Sequence, residues 1–126
     1  MSAEPISRPW PTDLVFDRTA KSLTIAFDDG NLFEIPFELL RVESPSAEVQ
    51  GHHPSQKTIV PGKAEVEILR IEPVGHYAVR LGFDDMHESG IYAWDYLREL
   101  GEQAEEKMRA YVAALAEKGL SRERKH

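Results

Sequence analysis

Apolar and polar residues alternate from Asp13 onward. Leu14 and Phe16 sit two apart, and Leu23, Ile25 and Phe27 repeat the spacing. A period of two places each set on one face of an extended strand. Asp29-Gly30 follows, a dipeptide suited to hairpin turns, and Leu32, Phe33 and Ile35 supply a return strand. Residues 13–35 therefore read as a three-strand meander. Pro36 opens a short helical turn, because proline suits a first helical position whose N–H has no partner in any case. Residues 43–63 are rich in Ser, Pro and Gly and read as a long loop, with a short strand at Thr58–Val60.

Val66, Ile68 and Ile71 mark a further strand, and Tyr77, Val79, Leu81 and Phe83 its neighbour. Pro73-Val74-Gly75 between them predicts a second hairpin. After a polar link at Asp84–Gly90 the period changes. Trp94, Leu97, Leu100, Ala104, Met108, Tyr111, Val112 and Leu115 recur at helical steps, predicting a helix over about 94–118. Gly101 interrupts that stripe and predicts a kink. Gly119 suits a left-handed C-terminal cap, with Leu120 folding back onto the last turn. The stripe, Trp94 included, is core that docks on the sheet. The expected fold is α+β: a mainly antiparallel sheet of five or six strands with a C-terminal helix packed on one face.

Composition narrows the function. At 126 residues the chain is long enough for one domain with its own core. It has no cysteine, which excludes disulfides, Cys-based zinc sites and a self-held iron–sulfur cluster, and fits a reducing cytoplasm. The net charge of −7 makes nucleic acid a poor partner. No apolar run approaches the ~20 residues that span a bilayer, and Met1–Asp13 lacks the apolar segment of a signal peptide. These features predict a cytoplasmic chain with no membrane partner. The basic tail of Arg122, Arg124 and Lys125 reads as favourable charge near a helix C-terminus.

The densest candidate chemistry is Asp84, Asp85, His87 and Glu88 in the link before the helix. Imidazole and carboxylate together suit iron or zinc, but neighbours in sequence rarely aim at one point. A metal site would recruit ligands from elsewhere, and His52 and His53, with Glu48 nearby, are the natural candidates. The competing reading is a solvated polar link whose acids favour the following helix N-terminus. His76 lies in a turn and reads as exposed. Ser44 and Ser46 lack the glycine-flanked elbow of a nucleophile and read as turn and cap residues. No glycine-rich phosphate motif is present.

Three segments, ELLRVESPSAEVQGHH, VEILRIEPVGHYAVRLGFDD and HESGIYAWDYLRELG, together resemble the gamma-butyrobetaine hydroxylase-like N-terminal domain family. These are small bacterial proteins long known as a domain of unknown function. The resemblance covers roughly residues 14–101, within a single domain that takes in the whole chain. It implies kinship with an accessory domain of iron- and 2-oxoglutarate-dependent oxygenases, whose catalytic iron lies in a separate domain. It does not carry hydroxylase activity to this chain. In those oxygenases the accessory domain holds zinc through three Cys and one His. His87 matches that histidine, within Asp85-Met86-His87, where Met86 replaces the usual glycine. The Cys-bearing loop matches the neighbourhood of Ser44 to Ala47, where this chain has no Cys. The zinc site is therefore lost or rebuilt with other ligands. Similar domains also occur fused to P-loop ATPases that carry iron–sulfur clusters.

The resulting expectation is a non-catalytic accessory domain linked to iron or iron–sulfur cofactor handling. It would bind one iron or zinc ion through His87, with Asp85, His52 and His53 as further ligands. Its partner would be a P-loop iron–sulfur carrier ATPase or an oxygenase. The alternative is a metal-free protein-interaction or structural domain.

Overall fold

The computed structural model describes residues 10–51 and 53–123. His52, Arg124, Lys125 and residues 1–9 lie outside them. The predicted meander is present: β1 (Pro11–Asp17), β2 (Ser22–Phe27) and β3 (Leu32–Pro36) form an antiparallel sheet in that order. Register sets Leu14 and Phe33 on either side of Ile25, and Phe16 and Ile35 on either side of Leu23. This pleat face is the buried one, as the period of two requires. Gly30 takes a left-handed φ of 89° in the turn between β2 and β3.

Pro36 ends β3 and caps α1 (Phe37–Val42). Phe37, Leu39, Leu40 and Val42 are all buried, so this helix is apolar on nearly every side and sits inside the core. The following loop is more ordered than expected. It contains α2 (Ala47–Gln50) and a single 3-10 turn at Pro54–Gln56, and no strand forms at Thr58–Val60. Instead the Thr58 N–H donates to the Val49 carbonyl at 2.7 Å, pinning the loop onto α2.

The second hairpin is β4 (Ile68–Val74) and β5 (Ala78–Phe83), extended by β6 (Gly90–Ala93). The six strands among the described residues thus fall into two three-stranded antiparallel sheets rather than one continuous sheet. Tyr92 pairs with Val79 and turns inward, fully buried, while Ile91 pairs with Arg80 and faces out.

The C-terminal helix is divided into α3 (Trp94–Glu102) and α4 (Ala104–Glu117), broken at Gln103. Gly101 lies against Phe33 of β3, where a Cβ would come within 2.6 Å of the Phe33 side chain. The glycine marks where the helix must let the sheet approach. Leu97, Leu100, Tyr111 and Leu115 join the core cluster. The predicted cap is formed: Gly119 has φ 67°, and the Leu120 N–H donates to the Leu115 carbonyl at 2.8 Å. Arg122 then reaches back to the buried Glu38 of α1, with hydrogen bonds of 2.5 to 3.2 Å. Its charge serves a specific carboxylate, in addition to any effect on the helix end.

Candidate functional site

Two segments distant in sequence meet beside α1. One is the connection from α1 into α2, carrying Ser44, Ser46 and Glu48. The other is the link from β5 to β6, carrying Asp85 and His87. Ser44 Oγ lies 2.9 Å from His87 Nε2, and Ser46 Oγ lies 3.4 Å from it. On the other side of the ring, His87 Nδ1 is 3.2 Å from Glu48 Oε1. Ser89 Oγ donates to the same Glu48 oxygen at 2.8 Å. His87 is 8% exposed and Ser44 fully buried.

Burial pushes the His87 imidazole below its ordinary value of 6.5, and the Arg41 charge pushes it further. Glu48 and Asp85 pull the other way and do not prevail. The ring is therefore neutral at pH 7. The network assigns the proton to Nδ1, which donates to Glu48, while Nε2 accepts from the Ser44 hydroxyl. Ser46 occupies the N-cap position of α2 but makes no side-chain cap bond. Its hydroxyl lies beside His87 instead, which departs from the cap role expected of it.

Asp85 is committed elsewhere. Its Oδ2 accepts from Arg41 Nε at 2.7 Å and lies 2.6 Å from Lys63 Nζ. Its Oδ1 accepts from the His87 backbone N–H at 3.1 Å. Burial raises the Asp85 carboxyl, but the bonds from Lys63, Arg41 and the His87 N–H outweigh it and hold the group at about 2. Asp84 and Glu88 are exposed, and Glu88 pairs with Arg70 at 3.6 Å. His53 is exposed and joins none of these bonds; His76 is exposed and accepts from Trp94 Nε1 through its carbonyl.

The structure therefore brings His87 and Asp85 into one neighbourhood, together with Ser44 and Ser46. Among the described residues, no three His, Asp or Glu side chains form a group that could hold a metal ion. Among the described residues, the donor set as arranged does not fit iron or zinc. Ser44 and Ser46 offer neutral hydroxyls where thiolates would be needed. The carboxylate of Asp85 is taken by two cations that would repel a third. Ser44, His87 and Glu48 also have the connectivity of a serine–histidine–carboxylate triad. Ser44 has no access to a substrate, however. Gly90 presses against it so closely that a Cβ there would lie 2.5 Å from Ser44 Oγ. The array works as a polar cross-link between two chain segments.

Over this cross-link lies a shallow cleft of about 360 Å³, lined in part by Val49, Thr58, Val60 and Met86. Met86 is 81% exposed and has a left-handed φ of 75°. Its loop repeats an earlier one. The Phe83 N–H donates to the His87 carbonyl at 2.9 Å and the Met86 N–H to the Phe83 carbonyl at 3.1 Å. In the β2–β3 turn, the Phe27 N–H donates to the Asn31 carbonyl at 2.9 Å and the Gly30 N–H to the Phe27 carbonyl at 3.1 Å. The two sequences, Phe27-Asp28-Asp29-Gly30-Asn31 and Phe83-Asp84-Asp85-Met86-His87, share Phe-Asp-Asp. That shared tripeptide is a sequence signal that periodicity alone passes over.

Solved structures resemble this chain over most of its length. Two proteins known from NMR solution structures are 39% and 42% identical, each with a TM-score of 0.80. The first match covers 95% of this chain and 94% of the other, and the second covers 98% and 92%. The crystal structure of a protein of unknown function of the DUF971 family, from Acidithiobacillus ferrooxidans, is 37% identical with a TM-score of 0.61. That match covers 72% of this chain and 91% of the other. No curated protein sequence matches. The model of the gamma-butyrobetaine hydroxylase-like N-terminal family matches residues 14–98, and the chain belongs to that family.

Proposed function

We propose that this chain is a non-catalytic accessory domain that acts by binding a partner protein, and that it needs no metal at His87. One observation carries the reading. Each group that would do chemistry at the site is already engaged: His87 by Ser44 and Glu48, Asp85 by Arg41 and Lys63. A partner in iron or iron–sulfur handling, a P-loop carrier ATPase or an oxygenase, is the class that family resemblance implies. No helix among the described residues is long and apolar enough to cross a membrane, and the lack of cysteine supports a cytoplasmic setting.

A second reading, one iron or zinc held by a rebuilt site, is favoured by the convergence of the Ser44 loop on His87. Elemental analysis of untagged protein purified without chelator, beside His87→Ala, separates the two. The proposal expects less than a tenth of an equivalent of metal in either protein after anaerobic supply of iron or zinc. About one equivalent in the wild type, lost in the variant, overturns the metal-free reading. Size-exclusion with purified candidate ATPase or oxygenase tests the partner: co-elution supports binding, and separate elution from every candidate removes that partner class.

A further inference from the structure

Met86 combines two costs. A large apolar side chain stands in water, and its backbone sits in the left-handed region that disfavours any residue with a Cβ. The chain shows that glycine serves the same loop, since Gly30 holds the matching place after the same Phe-Asp-Asp. Both flanks of Met86 are pinned, Asp85 by Arg41 and Lys63, and His87 by Ser44 and Glu48. The surroundings thus hold the methionine in a conformation it would not choose, an arrangement that clusters at functional sites. Exposed single apolar residues are common, so it is the joint presence of exposure and strain that carries weight.

We propose that Met86 and the adjoining cleft form the docking surface for a partner protein segment in which one apolar side chain is flanked by lysine or arginine. This rests on the accessory-domain reading above and names its surface. Methionine is flexible and polarisable and suits an adaptable apolar contact. Val60, Met86 and the edge of the buried Val49 give the cleft its apolar part, beside Arg41, Glu48, Asp85 and His87. Of the charged side chains that line the cleft, Glu48 is the one turned to solvent, at 71% exposed, and Asp84, two residues before Met86, is exposed as well, while Glu88 is paired with the exposed Arg70. The nearby cations Arg41 and Lys63 are turned in toward Asp85. A basic flank therefore gains from the rim, while a second copy of this chain, with net charge −7, is repelled.

In Met86→Gly the backbone strain and the docking contact respond in opposite directions. Relief of the left-handed backbone raises Tm by about 2–5 °C. Loss of the side chain weakens docking. The probe is a pair of 12-residue peptides, each with one central leucine, flanked in one by lysines and in the other by aspartates. They are titrated into ¹⁵N-labelled full-length protein and followed by amide shifts. The lysine peptide is expected to move the signals of Val49, Thr58, Met86 and His87, and its affinity to fall at least ten-fold in Met86→Gly. The aspartate peptide is expected to move none of them. No binding of the lysine peptide, shifts confined to another surface, or equal affinity in Met86→Gly overturns the proposal. If a partner protein co-elutes equally with wild type and Met86→Gly, this surface falls and the accessory reading stands. If partners co-elute with neither while the peptide binds as expected, the surface stands and the accessory reading falls.

Discussion

Asp85→Asn removes one charge on which two cations depend. The Asp85 side chain is 18% exposed, and those of Arg41 and Lys63 are 11% and 20% exposed. The carboxyl lies at about 2 rather than the ordinary 3.8. At about 1.4 kcal/mol per tenfold in affinity for the proton, that drop corresponds to about 2.5 kcal/mol. Partial exposure of Asp85 and Lys63 screens the interaction and brings the figure toward about 1.5 kcal/mol. The largely buried Arg41, left without its carboxylate, pushes it back up. The expected loss at pH 7 is about 2 kcal/mol. The folded value is depressed, so the stabilisation is complete above pH 3.8 and disappears as pH falls through about 2. The gap between wild type and variant should therefore be constant from pH 7 to about 5 and narrow below 4. Urea unfolding followed by fluorescence of Trp10 and Trp94, repeated across that range, measures it. A variant within about 0.5 kcal/mol of wild type at pH 7, or a gap that does not narrow in acid, refutes the reasoning.

Gly90→Ala is expected to destabilise by about 2 kcal/mol or more, because its Cβ would lie 2.5 Å from Ser44 Oγ and 3.0 Å from the Tyr92 ring; an unchanged urea midpoint would contradict the close approach. The His87 imidazole is depressed below 6.5, so the unfolded chain takes up its proton first. Stability from this group is full above about pH 6.5 and declines as pH falls toward the folded value, and an NMR titration of the His87 ring that gives a value above 6.5 would reverse the sign. Ser44→Cys/Ser46→Cys places two soft donors 2.9 and 3.4 Å from His87 Nε2, judged by the hydroxyls they replace. The double variant is expected to bind Co²⁺ with thiolate charge-transfer absorption that the wild type lacks, and a spectrum like that of wild type would count against the convergence of the two segments.

Legibility in the sequence followed the range of the forces involved. The meander from β1 to β3 was readable because alternation and the Asp29-Gly30 turn are local signals. So was the cap at Gly119, where one left-handed residue and Leu120 complete a motif within six residues. β6 was not readable. Gly90–Ala93 runs straight into a helical stripe, and only pairing with β5 makes it a strand. The division of the C-terminal helix lay half in view: Gly101 signalled a defect, but the break falls at Gln103, and the close approach of Phe33 to Gly101 is a tertiary contact. Sheet count escaped for the same reason, since no local pattern says which strands share edges.

The site divides in the same way. His87 and Asp85 were picked out by the crowding of polar residues in a short link, but their partners could not be. Ser44 and His87 are 43 positions apart, and Ser46 carried the local signature of a helix cap. What turned the Ser46 hydroxyl from capping α2 toward His87 was the burial of α1, which brings the following segment against the β5–β6 link. The sequence by itself determined the strand faces, the turns, the helix stripe and the family. The tertiary structure decided the strand partition, the pairing of Asp85 with Arg41 and Lys63, and the strained exposure of Met86. Periodicity and turn chemistry act over a few residues and are written locally. Hydrogen bonds between distant side chains exist only once core packing has brought their backbones together.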